Sequence, residues 1–412
     1  MSRLFSRRGL AAALAMLGPG LVSAIAGDDA GGIATYALVG AKYGYTLLWT
    51  MVLITISLGV VQEITTRLSV ATGKGLSDLI REQFGVKVAT LAMAALVIAN
   101  AAVTISEFVG IAAAGELFGV TRFITVPVSA ILVWWIVVRG NYRIAERIFL
   151  ALALVLTVYV ISALVVRPDW GAVARGTFIP TIQTDREFII LTIAVIGTTI
   201  SPYMQFTLSS TIVEKGVRPD EYRSQLVETL LGVLLSDAFS YFIIVATAAT
   251  LFVHGIHDIE TADQAAQALQ PIAGPLAEEL FGAGLLGASF LAASVLPLST
   301  TYAVCEAFGW ERGVNASWED APIFYGLYTA LIVVGALIAL VPNAPFFLIS
   351  IVVYDLNGIL LPVLLILMLS LASNPRLLGK RVSSPLINVL GWGTTIMLIA
   401  LTVGLAISAF LP

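Results

Sequence analysis

Eleven apolar runs, each long enough to cross a bilayer, occupy most of the chain: 12–40 (interrupted), 46–70, 88–115, 122–139, 147–166, 188–213, 226–253, 281–308, 322–341, 346–371 and 386–411. A bilayer core takes about 20 apolar residues per helix, and within it the backbone must satisfy its own polar groups. Such a chain is an all-α polytopic membrane protein with 11 transmembrane helices. The charge content agrees: 12% of residues are charged and the mean hydropathy is +0.96, whereas soluble domains carry about 25% charge. With the N-terminus cytoplasmic, only Lys42, Arg122, Arg167, Arg175 and Arg186 of the 22 Lys and Arg lie outside, leaving 17 inside. That bias follows the positive-inside rule. It predicts a cytoplasmic N-terminus and an outside C-terminus in the cell (inner) membrane.

The N-terminus also imitates a signal peptide, with Arg3, Arg7 and Arg8 before an apolar run and Ser23-Ala24-Ile25-Ala26 as a small-residue cleavage site. A second apolar half from Ile33 and the odd number of spans favour a retained span. The single cysteine, Cys305, excludes an internal disulfide and a thiolate metal cluster. His254 and His257 share one loop, 254–280, the longest outside loop expected. Histidines at this spacing in a polar loop read more simply as solvated than as a surface metal site. A metal site inside the membrane therefore has oxygen ligands only. No ATP-binding motif, phosphate loop or nucleophile–base arrangement is present, so neither an enzyme nor a pump is expected. No cofactor and no nucleic-acid partner are implied.

Inside the first span lies Gly27-Asp28-Asp29-Ala30-Gly31-Gly32. Each carboxylate at bilayer depth costs about 2.5–3.5 kcal/mol on the insertion scale, and such residues mark ion pathways. Glycines disfavour continuous helix, so the reading is an acid pair on broken backbone, aimed at a cation. Asp28 has an alternative as a cap of the following half-helix. The sixth span is interrupted too, at Ile196-Gly197-Thr198-Thr199-Ile200-Ser201-Pro202-Tyr203, where Pro202 breaks the helix ladder. Breaks five spans apart put spans 1–5 (residues 1–170) and 6–10 (185–375) in inverted repeats, with 386–411 as an extra helix. Matching broken helices in inverted repeats point to a midplane site in a secondary transporter. A proline kink satisfied by neighbours would explain the sixth span alone, but not aspartates at the matching place in the first.

Among the other intramembrane polar residues, Glu107 of the third span reads as functional. Asp237 in the seventh span, and Asp355 with Asn357 in the tenth, stay open between function and interhelical hydrogen bonding. Glu63 reads as a local i,i+4 partner of Arg67.

These motifs resemble the Nramp (natural resistance-associated macrophage protein) family of divalent-metal transporters over nearly the whole chain. Asp29-Ala30-Gly31-Gly32-Ile33-Ala34-Thr35 fits the frame of that family's Asp-Pro-Gly-Asn, one residue, Ala-Thr. Gly40-Ala41-Lys42-Tyr43-Gly44-Tyr45-Thr46-Leu47-Leu48-Trp49, Ala71-Thr72-Gly73-Lys74 and Ser106-Glu107-Phe108-Val109-Gly110 are similar to it as well. Gly197-Thr198-Thr199-Ile200-Ser201-Pro202-Tyr203 matches its Gly-Ala-Thr-Val-Met-Pro-His. The resemblance implies the leucine-transporter-type fold, two inverted five-helix repeats with helices 1 and 6 broken. It also implies an Asp29-centred metal site.

Departures from the family narrow the expectation. Its metal-binding asparagine aligns with Gly32 and its metal-binding methionine with Ser201. A thioether suits transition metals, and oxygen suits Mg²⁺, Ca²⁺ and Mn²⁺. Gly32 and Ser201 are also smaller, and Asp28 adds a carboxylate where the family has an apolar residue. A roomy acidic oxygen site fits Mg²⁺ that keeps part of its water, as in the Nramp-related magnesium transporters. The family's third-span aspartate aligns with Thr104, and its two sixth-span histidines with Tyr203 and Leu208. Histidine titrates near neutral pH, so transport uncoupled from protons is expected.

The expected metal set is Asp29, Asp28, Glu107, Ser201, the Thr198 carbonyl and Gly32, with Gly27, Gly31, Pro202 and Tyr203 shaping it. The substrate would be Mg²⁺, with Mn²⁺ also carried, by a monomer in the lipid bilayer. The alternatives are a proton-coupled Mn²⁺/Fe²⁺ transporter, a metal-sensing transceptor, and an organic-amine or amino-acid carrier. The last would need a helix N-terminus free for a substrate carboxylate.

Overall fold

The computed structural model describes residues 29–139, 158–183, 185–314, 316–342 and 344–408. Gly27 and Asp28, the first half of the first span and most of the fifth lie outside the described residues. Among those described, eight helices are long and apolar enough to cross a membrane.

The second half of the first span is α1 (Ala30–Tyr43). The second to fourth spans are α2 (Leu48–Thr72), α3 (Leu76–Leu117) and α4 (Arg122–Val138). Then come α5 (Val158–Val165), the described part of the fifth span, and a short helix α6 (Trp170–Phe178). The sixth span is two helices, α7 (Arg186–Thr199) and α8 (Pro202–Glu214). The last five are α9 (Tyr222–Thr250), α10 (Ala277–Phe308), α11 (Pro322–Ala339), α12 (Phe346–Ala372) and α13 (Pro385–Ser408).

The helix α1 is the axis of the bundle. Every residue from Ala30 to Ala41 is buried, as a helix apolar on all sides should be. Neighbours on every side include α3, α7, α9, α10 and α12. Small residues make that enclosure possible by letting backbones approach. A Cβ on Gly40 would overlap the Thr247 hydroxyl and lie 2.5 Å from the Ile244 carbonyl oxygen of α9. The periphery is the reverse: Phe123, Ile131 and Trp135 on α4 and Leu386, Val389 and Ile396 on α13 are exposed, an apolar belt suited to lipid.

The interruption in the sixth span is as expected, and its chemistry is local. Ile200 leaves helical geometry (φ −111°, ψ 60°), Ser201 is extended, and Pro202 opens α8 at its first position. Proline is favoured there because its missing N–H would be unpaired anyway.

The first span departs from expectation. Gly31 and Gly32 do not hold the backbone open; both lie in the first helical turn of α1, and the chain is extended at Asp29 (ψ 173°). Gly31 is small for a packing reason. A Cβ there would lie 2.5 Å from Cε2 of Tyr354 and 2.7 Å from Oγ of Ser106. Two boundaries also differ. The third span starts at Leu76, with non-helical Gly85 (φ 82°) dividing its polar start from its apolar body. The loop at 254–280 contains helical turns at Ala262–Ala266, Gln267–Leu269, Gln270–Ala273 and Gly274–Leu276.

Candidate metal-ion site

The N-terminus of α1 gathers two carboxylates. A helix begins with backbone N–H groups that lack helical partners and carry a partial positive charge. Asp29 is the N-cap, and its Oδ1 accepts from the Gly32 N–H at 2.8 Å. Glu107, reaching across from α3, accepts from the Ala30 N–H through Oε2 at 3.2 Å. Asp29 is 1% and Glu107 0% exposed, and Oε1 of Glu107 has no hydrogen-bond partner. Two anions buried together are costly unless a cation joins them; the helix dipole supplies only part of that charge.

A third side chain completes the cluster. The hydroxyl of Tyr354, fully buried on α12, donates to Oδ1 of Asp29. The backbone of the same residue meets the other broken span: the Tyr354 carbonyl abuts Gly197 of α7, where a Cβ would overlap it. Tyr354 thus touches both interruptions. Its signal in the sequence is faint, a helical ladder of Ser350, Tyr354 and Asn357 on one face of the tenth span.

At the sixth-span break, Ser201 Oγ donates to the carbonyls of Gly197 (2.9 Å) and Thr198 (3.0 Å). Its lone pairs remain for an ion or a water, while the Thr198 carbonyl already accepts one bond. The Thr198 hydroxyl is buried without a partner. Tyr36 and Thr199 hydroxyls bond at 2.7 Å and tie α1 to this turn. Tyr203, in the first turn of α8, is buried. Gly32 presents its N–H to Asp29.

The remaining candidates separate. Asn357 is fully buried with both amide atoms unpartnered, one turn beyond Tyr354 on the same helix. Asp355, adjacent to Tyr354, points off that face, with Oδ1 unpartnered. Asp237 on α9 is buried with both carboxylate oxygens unpartnered; Thr55 of α2 is its neighbour. No hydrogen bond joins Asp237 or Asp355 to the Asp29–Glu107 pair among the described residues. Thr104 spends its hydroxyl on the Asn100 carbonyl at 2.7 Å. Nδ1 of His257 lies 3.2 Å from the Ala41 carbonyl and Nδ1 of His254 2.5 Å from that of Thr250; each ring is held by backbone rather than paired with the other.

A cavity of about 890 Å³ lies at the end of the bundle that the charge bias assigns to the outside. Its wall includes Leu38 of α1, Val109 of α3 (two residues from Glu107) and Phe346 of α12. Six acids line it (Glu116, Glu187, Asp258, Glu260, Asp263 and Glu278) against Lys42 and Arg122. Lys42 donates to Glu187 and, at 2.9 Å, to Asp258. Partial burial works against its charge, but these two carboxylates hold its pKa above the ordinary lysine value. An acidic mouth concentrates cations, and salt screens the effect. Lys42→Ala is therefore expected to lower the apparent KM for a divalent ion by roughly threefold at low ionic strength. The gain should vanish in high salt, as initial uptake rates at two salt concentrations would show.

At the opposite end, polar ties join the described helices. Arg67 pairs with Glu63 as the sequence suggests, and it also donates to the Arg381 carbonyl (3.2 Å) while Tyr222 donates to Glu63 (2.6 Å). The Ser209 hydroxyl of α8 bonds Ser69 of α2 and the Leu76 N–H of α3, both at 2.8 Å. Glu306 of α10 accepts from the Asp78 N–H at 3.3 Å and pairs with Arg312 at 3.6 Å.

Comparison with known proteins places this arrangement. The sequence profile "Nramp: Natural resistance-associated macrophage protein-like" matches residues 20–408. The divalent metal cation transporter MntH of Bacillus subtilis is 28% identical over 417 residues, covering 98% of this chain and 94% of its own. MntH of Yersinia enterocolitica is 27% identical over 402 residues, 96% of this chain and 95% of its own. The solved structure of the Eremococcus coleocola manganese transporter superposes with a TM-score of 0.75 at 19% identity, over 94% of this chain and 85% of that one. Mhp1, a nucleobase-cation-symport-1 family transporter, gives 0.55 at 14% identity, over 94% and 93%. At those identities the two structures speak for the fold alone, an all-helical transporter fold of the leucine-transporter type. With the profile spanning nearly its full length, the chain belongs to the Nramp family.

Proposed function

We propose that this protein imports divalent cations, Mg²⁺ foremost and Mn²⁺ as well, as partly hydrated ions by alternating access without proton coupling. In this reading it belongs to the Nramp-related magnesium-transporter branch, with residues 1–170 and 185–375 as the two halves of the exchange. The observation that carries the proposal is the buried Asp29–Glu107 pair at the start of α1. At the break in the sixth span, position 201 offers a hydroxyl instead of a thioether. Hard oxygen ligands with a carboxylate charge suit Mg²⁺, which is held by one or two carboxylates and keeps several waters. The ion replaces what the buried pair lacks, a compensating charge. Asp28, outside the described residues, would add a further carboxylate.

Uptake needs no proton gradient. A divalent ion gains about 4.6 kcal/mol per 100 mV of membrane potential, two charges at about 2.3 each. The open acidic cavity at one end and the Arg67, Ser209 and Glu306 ties at the other suit a state that receives ions from outside.

The test is flux in reconstituted vesicles with a pH dye inside. Mg²⁺ and Mn²⁺ should enter under an inside-negative potential while the lumen pH stays constant. Lumen acidification during Mn²⁺ entry, with Mg²⁺ failing to compete, would instead establish a proton-coupled Mn²⁺/Fe²⁺ transporter. Metal binding with no flux of either ion would establish a sensor.

A further inference from the structure

Among the described residues, two hydrogen bonds reach the Asp29 carboxylate, and both arrive on one oxygen. The Gly32 N–H and the Tyr354 hydroxyl each donate to Oδ1. A carboxylate oxygen offers two lone pairs, so Oδ1 is saturated and Oδ2 is the atom left for an ion. Tyr354 is held firmly to this position. It is fully buried, and its ring lies against Gly31, where a Cβ would sit 2.5 Å from Cε2 and 3.0 Å from the hydroxyl. One turn earlier Ser350 bonds Ser106 of α3 at 3.2 Å, and Gly197 of α7 backs its carbonyl.

On the reading that Asp29 is the ion's principal ligand, we propose that Tyr354 is a specificity-determining positioning residue that confines Asp29 to one-oxygen coordination and thereby discriminates against Ca²⁺. Ca²⁺ takes about 6–8 oxygen ligands, and binding both oxygens of one carboxylate is a common way to reach that number. Mg²⁺ requires octahedral geometry at about 2.0–2.1 Å and retains waters, so a single carboxylate oxygen suffices for it. With Oδ1 occupied, the two-oxygen mode is closed to the larger ion and the one-oxygen mode stays open to the smaller. Tyr354 makes no contact with the ion in this scheme. It acts through Asp29, and sets which ions Asp29 can satisfy.

The experiment compares wild type, Tyr354→Phe and Asp29→Ala in reconstituted vesicles, reading Mn²⁺ uptake and its inhibition by Ca²⁺. Phenylalanine keeps the ring and removes the donor. The ratio of the Ca²⁺ inhibition constant to the Mn²⁺ KM should fall roughly tenfold, the factor that one charge-assisted hydrogen bond commands. An unchanged ratio, or an equal loss for every ion, would overturn the assignment. Should Tyr354→Phe fail to fold, 3-fluorotyrosine at position 354 decides the matter. Its stronger donor should raise that ratio, and no change or a fall counts against the proposal. The Asp29→Ala arm keeps the two ideas apart. Normal flux there sinks the Asp29 reading itself, whereas a silent Asp29→Ala beside an unaltered ratio in Tyr354→Phe sinks only the role of Tyr354.

Discussion

Asp29→Ala should reduce divalent-ion uptake in vesicles by about 100-fold or more, since changes merely behind a metal ligand typically cost 10–100-fold. The carboxylate is buried beside Glu107, one oxygen of which is engaged by the Ala30 N–H, so Glu107 alone is a poor substitute. Alanine also removes the cap of α1, a loss of roughly 1 kcal/mol. Asp29→Asn separates the two effects. Asparagine caps as well as aspartate but carries no charge, so the variant should melt with wild type and still be silent in flux. An asparagine variant that transports at the wild-type rate would remove Asp29 from the mechanism.

Gly197→Ala should be severely damaging. Its Cβ would overlap the Tyr354 carbonyl oxygen and lie 2.7 Å from the Gly358 nitrogen. Both are backbone atoms that no rotamer change can move. Overpacking of this kind costs about 1–3 kcal/mol, occasionally more, and here it also displaces the residue that holds Asp29. A lower melting temperature together with weakened metal affinity is expected. Gly404→Ala is the matched control, because a Cβ at that position meets nothing within 4 Å. Equal melting temperatures for the two variants would contradict the packing described for α7 and α12.

The order of the spans, the interrupted sixth helix and the carboxylates at the start of α1 were legible because each is written locally. Length and apolarity mark a span, Ser201-Pro202 marks a helix start inside one, and a charge at bilayer depth is conspicuous by its cost. What escaped the sequence is what helices do to one another. Tyr354 lies 325 positions from Asp29, and only the faint ladder with Ser350 and Asn357 distinguishes it from other buried aromatics. Attention goes instead to Asp355 beside it, whose charge is visible but which faces elsewhere. Gly31 and Gly32 misled for a related reason. Glycine signals both broken backbone and close approach, and only the Tyr354 ring against Gly31 settles which applies.

The burial of α1 from Ala30 to Ala41 bears on how the transport cycle must run. A helix with a free face can slide along it; one enclosed on every side cannot move without its neighbours parting all round. In the proposed cycle, α1 would therefore be the fixed post of the machine. The Ile200-Ser201 joint and the polar ties of α2, α3 and α8 at the end opposite the acidic cavity would be its working parts. The ion would be handed from one side to the other past an Asp29 that stays where it is.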